Sequence, residues 1–173
     1  PKGTGFIYIK KGIGLYNWLS GGAQENGFRA GTENVAGIVG MAAALQKNVE
    51  HISENMLYLN RLSRLFLEKI SEANIDYVLN GNPHDRIPGN INISVKGIAG
   101  EALLHRLDLK NIAVSTGAAC NSVNPEPSHV IKEIGTPQEY ATGTIRISFG
   151  KDNTENEVLT IADAIVEIIS RKG

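Results

Sequence analysis

Three places along the chain bring together residue types that do chemistry. The first is Gly27-Phe28-Arg29-Ala30-Gly31-Thr32-Glu33-Asn34, directly ahead of a long helical pattern. A Gly-bearing turn, a guanidinium, a hydroxyl and the free N–H groups of a helix start are the donors of an anion site. The same residues also make an ordinary cap, with Thr32 or Asn34 at the helix N-terminus and Arg29 in solvent, and spacing alone favours the cap. The second is Cys120, set among Ser115, Ala118, Ala119 and Ser122. An uncrowded thiol acts as nucleophile or sulfur carrier once its pKa is lowered, although a free cysteine is more often a small buried hydrophobe. The third is Arg146, which alternates with Ile145 and Ile147 and so faces away from the apolar side of its strand. A guanidinium there suits bidentate carboxylate recognition, with plain solvation as the commoner fate. His129 follows the Cys120 loop and is placed to tune the thiol or move a proton, against the commoner role of a helix-surface histidine.

Other patterns fail on inspection. Gly3-Thr4-Gly5 meets Tyr8 where G-x-G-x-x-G needs its last glycine, and the Gly22 to Gly27 spacing is followed by Phe28 where a phosphate loop needs lysine. The 4 His and 1 Cys show no metal-ligand spacing, so no metal is expected. With 17 Lys+Arg against 18 Asp+Glu, the chain lacks the basic excess of a nucleic-acid or membrane-surface protein. A lone cysteine excludes a disulfide framework. No apolar run approaches the roughly 20 residues of a membrane span and no signal-peptide pattern opens the chain, so a soluble, cytoplasmic protein is expected and the sequon Asn92-Ile93-Ser94 reads as chance. The 173 residues, 42% hydrophobic, suffice for one domain or slightly more. The chain opens at Pro1 and runs at once into a β-rich segment, which reads as an internal stretch of a longer protein.

The elements that must position these residues follow from periodicity. Residues 4–9 read as a strand, and residues 10–31, with six glycines (12, 14, 21, 22, 27 and 31), as a loop. From Thr32, apolar residues step by three and four through Val35, Ile38, Val39, Ala42, Leu45, Val49, Ile52, Met56, Leu59, Leu62, Phe66 and Ile70. Nearly forty residues is long for one helix, so a break or bend is expected, near Gly37 and Gly40. Strands are expected over 75–79, 90–95, 112–115 and 144–149, and helices over 100–107 and 127–134. A last helix opens on the capping box Thr154-Glu155-Asn156-Glu157. The domain boundary is placed near residue 46, giving regions 1–46 and 47–173.

Taken together, the motifs resemble the C-terminal part of a cysteine desulfurase of the NifS/IscS type, a pyridoxal-phosphate (PLP) enzyme of the class V aminotransferase group. The residues that carry the likeness are Pro1-Lys2-Gly3 leading into Gly5-Phe6-Ile7-Tyr8, and Gly21-Gly22-Ala23-Gln24-Glu25 with Arg29-Ala30-Gly31-Thr32-Glu33-Asn34. They continue through Ser115-Thr116-Gly117-Ala118-Ala119-Cys120-Asn121-Ser122, Pro127-Ser128-His129-Val130 and Ile145-Arg146-Ile147-Ser148-Phe149-Gly150. The fold implied is α/β: the C-terminal part of a fold-type-I PLP enzyme, whose small α+β domain packs helices on a small antiparallel sheet after a long connecting helix. Residues 1–46 would then be a remnant of the PLP-binding large domain, and 47–173 the small domain.

The resemblance also implies roles. Cys120 would attack the sulfur of PLP-bound L-cysteine and carry a persulfide, releasing alanine. Arg146 would bind the substrate carboxylate, and Thr32 would reach the PLP phosphate of the partner subunit in a homodimer. The distance from Cys120 to Pro127 resembles the subgroup with a long Cys loop that delivers sulfur to an iron–sulfur scaffold or other acceptor protein. The family's Schiff-base lysine precedes the Pro-Lys-Gly turn and lies outside these residues, and Lys2 is no substitute. The 173 residues alone are therefore expected to be inactive. A non-enzymatic sulfur-relay or partner-binding module that keeps the Cys loop is the alternative.

Overall fold

The computed structural model describes residues 2–116 and 127–171. They divide into two compact units, Pro1–Ile52 and Ser53–Gly173.

The first unit holds the Gly-rich segment and helix α1, Val35–Glu50. Residues 4–9, expected as a strand, pair with no strand among the described residues and stand mostly exposed. Alternating β-branched and aromatic residues favour an extended chain, but a strand exists only through its ladder. A 3-10 turn, Glu25–Gly27, interrupts the expected loop, with Asn26 in the left-handed region at φ 56°. Asn34 caps α1, its side-chain oxygen accepting from the Gly37 N–H at 3.1 Å. A Cβ at Gly37 would meet the Asn34 amide and the Thr4 methyl, so a larger residue there would have to displace the capping side chain. None of the α1 side chains is buried within this unit. Val35, Val39 and Val49 stand exposed, as do Phe6, Tyr16 and Trp18.

The long helical pattern does break, but at His51 rather than at Gly37 and Gly40, so the expected connecting helix is two helices. Helix α2 spans Ile52–Glu72. In an unbroken helix the His51 N–H would bond the Lys47 carbonyl. Here the imidazole Nδ1 takes that carbonyl at 2.9 Å, and the His51 N–H turns to the Val49 carbonyl. A side chain competing for its own backbone acceptor ends the helix.

The second unit is an antiparallel sheet of β1 (Tyr77–Leu79), β2 (Asn90–Val95), β3 (Ser115–Thr116) and β4 (Thr144–Ser148), in the order β1-β2-β4-β3. Helix α3 covers Gly100–Asp108, α4 His129–Glu133, α5 Gln138–Ala141 and α6 Glu155–Ser170. One face of β2 and β4 (Ile91, Ile93, Val95, Ile145 and Ile147) packs on Leu62, Phe66 and Ile70 of α2, Leu103 and Leu107 of α3, and Val158, Ala162, Ile165 and Ile168 of α6. Phe66 meets Phe149 edge-on, centroids 6.0 Å apart. The capping box of α6 forms as expected: Glu157 N–H donates to Thr154 Oγ1 at 3.2 Å, and Thr154 N–H to Glu157 Oε2 at 2.7 Å. That backbone donor holds the Glu157 carboxyl below its usual range, so its stabilising contribution is present at neutral pH and is lost as acid protonates it.

Three further expectations are corrected. The strand expected over 112–115 is Ser115–Thr116 among the described residues, paired with Arg146 and Ile145, and the Ile112 N–H turns instead to the Leu107 carbonyl at 3.0 Å. The helix after the Cys loop starts at His129 with Ser128 as its cap, so Pro127 lies outside it. Helix α5 was not anticipated; Tyr140 Oη donates to Asp76 at 2.7 Å and Glu139 pairs with Lys96 at 2.8 Å, which tie this short turn to the sheet.

Candidate functional site

The sheet's second face is polar. Asn90, Asn92 and Ser94 of β2 alternate with the core residues, and β4 sets Ser148, Arg146 and Thr144 opposite them in register. Ser115 of β3 pairs with Arg146 from the other side. One row across three strands therefore reads Asn92, Arg146, Ser115, with neighbouring Cα atoms about 4.5–5.5 Å apart.

Arg146 projects from this row into solvent, as its alternation implied. No hydrogen bond or ion pair with another described residue takes up its guanidinium. A rigid strand thus presents a fixed charge and a planar set of donors, which matches a carboxylate. Thr144, which alternation alone would leave outward, is instead buried, donating to the Ala141 carbonyl at 2.8 Å and lying 2.7 Å from Ser94 Oγ.

Sequence reasoning missed the residues that organise this face. Asn80, just after β1 and 5% exposed, donates from Nδ2 to Asn92 Oδ1 at 2.6 Å and to Ser94 Oγ at 2.7 Å. Its Oδ1 accepts from Thr136 Oγ1 at 2.7 Å. Arg86 braces the connection from β1 to β2, with Nε on the Asn90 carbonyl and Nη2 on the Asn80 carbonyl, while its buried Nη1 has no partner among the described residues. Desolvation lowers the Arg86 pKa from its ordinary value. The alternation of Asn and Ser with Ile and Val over 90–95 was the available signal. The burial of Asn80 was not, because it depends on which strand lies beside it.

The other expected site residues fall elsewhere. Cys120 lies outside the described residues. Thr116, four positions before it, ends β3, and His129 opens α4 on the surface. Thr32 lies two residues before the Asn34 cap, exposed. Arg29 is folded onto its own loop, Nη1 donating to the Gly31 and Thr32 carbonyls at 3.0 and 3.2 Å, and Gly31 N–H donates to Gln24 Oε1 at 3.2 Å. This bracing leaves the Thr32 hydroxyl with no hydrogen-bond partner among the described residues. A free hydroxyl ahead of a helix start fits a phosphate, and a free guanidinium fits a carboxylate. Among the described residues no group of three His, Cys, Asp or Glu is placed to hold a metal, and no helix is long and apolar enough to cross a membrane.

Residues 1–161 match the aminotransferase class-V family. The chain is 40% identical over 171 residues to the cysteine desulfurase IscS of Dictyoglomus turgidum, covering 99% of this chain and 43% of that protein. It is 42% identical over 175 residues to the cysteine desulfurase IscS of Clostridium botulinum, covering 99% and 44%. A solved NifS-like protein superposes with a TM-score of 0.82 at 33% identity, over 95% of this chain and 41% of that one. The chain thus spans less than half the length of these relatives.

Proposed function

The chain belongs to the aminotransferase class-V family, and on that footing we propose that it carries the substrate-binding and sulfur-accepting part of a PLP-dependent cysteine desulfurase. The observation that supports this is the pairing of Ser115 with Arg146. The strand that leads toward Cys120 runs beside the residue suited to hold an amino acid by its carboxylate. Cys120 follows Thr116 by four positions, a tether of at most about 14 Å.

In this reading Arg146 fixes the α-carboxylate of L-cysteine and so sets where its Sγ lies. The Cys120 thiolate attacks that sulfur, the new S–S bond forms as the Cβ–S bond breaks, and the electron pair of the broken bond goes to carbon. Of the two thiol protons, one ends on the persulfide and one on the product, alanine, so no outside oxidant is required. PLP supplies the electron sink that labilises the amino acid's bonds. Thr32, ahead of the Asn34 cap, donates its hydroxyl to the cofactor phosphate of a second copy of the chain. A homodimer, in which Thr32 of one copy meets the cofactor phosphate of the other, is part of the same reading. Residues 1–46 belong on this view to the cofactor-binding domain and 47–173 to the small domain. The persulfide then passes to an iron–sulfur scaffold or another acceptor protein, and the 173 residues alone are inactive.

Two substitutions in the full-length enzyme test the anchors. A charge-assisted pair contributes about 1.5–3 kcal/mol, so Arg146→Ala weakens L-cysteine binding at least tenfold. Thr32→Ala lowers PLP affinity and leaves the substrate's dissociation constant unchanged once the cofactor is saturating. Unchanged cysteine binding in the first variant, or unchanged PLP affinity in the second, removes that residue from the site.

A further inference from the structure

The polar face of the sheet carries a hydrogen-bond chain whose direction is fixed at one end. A carbonyl can only accept, so Thr144 spends its one hydroxyl proton on the Ala141 carbonyl. In the 2.7 Å contact between Thr144 Oγ1 and Ser94 Oγ, the serine must then be the donor. With its proton committed, Ser94 can only accept from Asn80, so the Asn80 atom facing it is Nδ2. That same Nδ2 faces Asn92, which must therefore answer with Oδ1. Thr136 closes the account by donating to Asn80 Oδ1.

The orientation of Asn92 follows. A planar amide has its oxygen and nitrogen on opposite sides, so Oδ1 toward Asn80 leaves Nδ2 on the other side. Asn80 adjoins β2 from the β1 side, its N–H donating to the Asn92 carbonyl. Strand β4 lies on the opposite side of β2, with Arg146 in register with Asn92. The Asn92 amide hydrogens are thus presented on the Arg146 side, and Asn92 is only partly buried. We infer that Asn92 Nδ2 is a second donor, beside the Arg146 guanidinium, for the α-carboxylate of the amino-acid substrate. This rests on the carboxylate reading of Arg146 given above. The two donors lie on adjacent rigid strands. A buried relay locks the neutral one, so it need not reorganise when the carboxylate arrives.

The test is equilibrium binding to the full-length, PLP-loaded enzyme, followed by cofactor absorbance, with L-alanine and with ethylamine, which is alanine without its carboxylate. Asn92→Ala is expected to weaken L-alanine about tenfold, one charge-assisted hydrogen bond, and to leave ethylamine unchanged. Asn92→Asp keeps the oxygen that Asn80 needs, which guards the fold, yet puts a carboxylate oxygen where the donor was. It is expected to weaken L-alanine by more than the alanine variant does, again sparing ethylamine. If both variants bind L-alanine normally, or lose both ligands equally, while Arg146→Ala loses L-alanine alone, the inference about Asn92 is wrong and the role of Arg146 stands. If Arg146→Ala also binds L-alanine normally, the carboxylate reading fails and the inference goes with it.

Discussion

Gly143→Ala is expected to destabilise the second unit by about 3 kcal/mol or more, at the upper end of what overpacking costs. Gly143 sits between α5 and β4, where its N–H donates to the Tyr140 carbonyl at 2.8 Å and its own carbonyl accepts from Val95 N–H at 3.0 Å. A Cβ at this position would collide with the carbonyl oxygens of Val95 and Ile98, both backbone atoms that cannot swing aside as a long side chain would. Relief would require prising β4 from β2 where Ser94 and Thr144 meet. Alanine at Gly150 is the control, because its nearest neighbour there, Asn153 Oδ1, is an ordinary 3.8 Å away. In thermal unfolding followed by circular dichroism, Gly143→Ala should melt roughly 6–12 °C lower and Gly150→Ala should melt close to the parent. Equal melting temperatures would mean that the α5–β4 junction is not packed as described.

That junction marks where sequence reasoning reached and where it stopped. Periodicity sufficed for β2, α3 and α6, because each buries one regular face and local pattern agrees with tertiary packing. The outward placement of Arg146 was legible for the same reason. The strand expected over 4–9 failed because its residues favour extension but have no ladder among the described residues. The helix break at His51 turns on one imidazole nitrogen taking one carbonyl, whereas Gly37 and Gly40, the stronger breakers by propensity, lie inside α1. Asn80 follows Leu79 in Asn80-Gly81-Asn82-Pro83, which reads as a turn. Only the antiparallel register of β1 on β2 reveals that its side chain is buried beside Asn92 and Ser94. Polar networks of this kind are set by strand pairing, which no local window contains.

Cys120→Ser carries the largest functional expectation. If Cys120 accepts sulfur, the variant in the full-length enzyme should release no sulfide from L-cysteine above background and form no persulfide, because a serine hydroxyl is far less nucleophilic toward sulfur than a thiolate at neutral pH. Substrate capture should survive, since the carboxylate is held at Arg146 and not at the thiol. Cofactor absorbance should still respond to L-cysteine with the parent's concentration dependence. This separates loss of the acceptor from loss of the site, which Arg146→Ala would show instead. Within these 173 residues the assignment is unambiguous by mass spectrometry, because Cys120 is the single cysteine. After turnover in the parent enzyme, the proteolytic peptide that contains it should be heavier by one sulfur atom, and a reductant should remove that atom. Sulfide release that persists in Cys120→Ser, or a persulfide found on a peptide that excludes residue 120, would move the acceptor elsewhere. The pairing of Ser115 with Arg146 would then be an accident of sheet register rather than the way substrate sulfur is brought to a thiol.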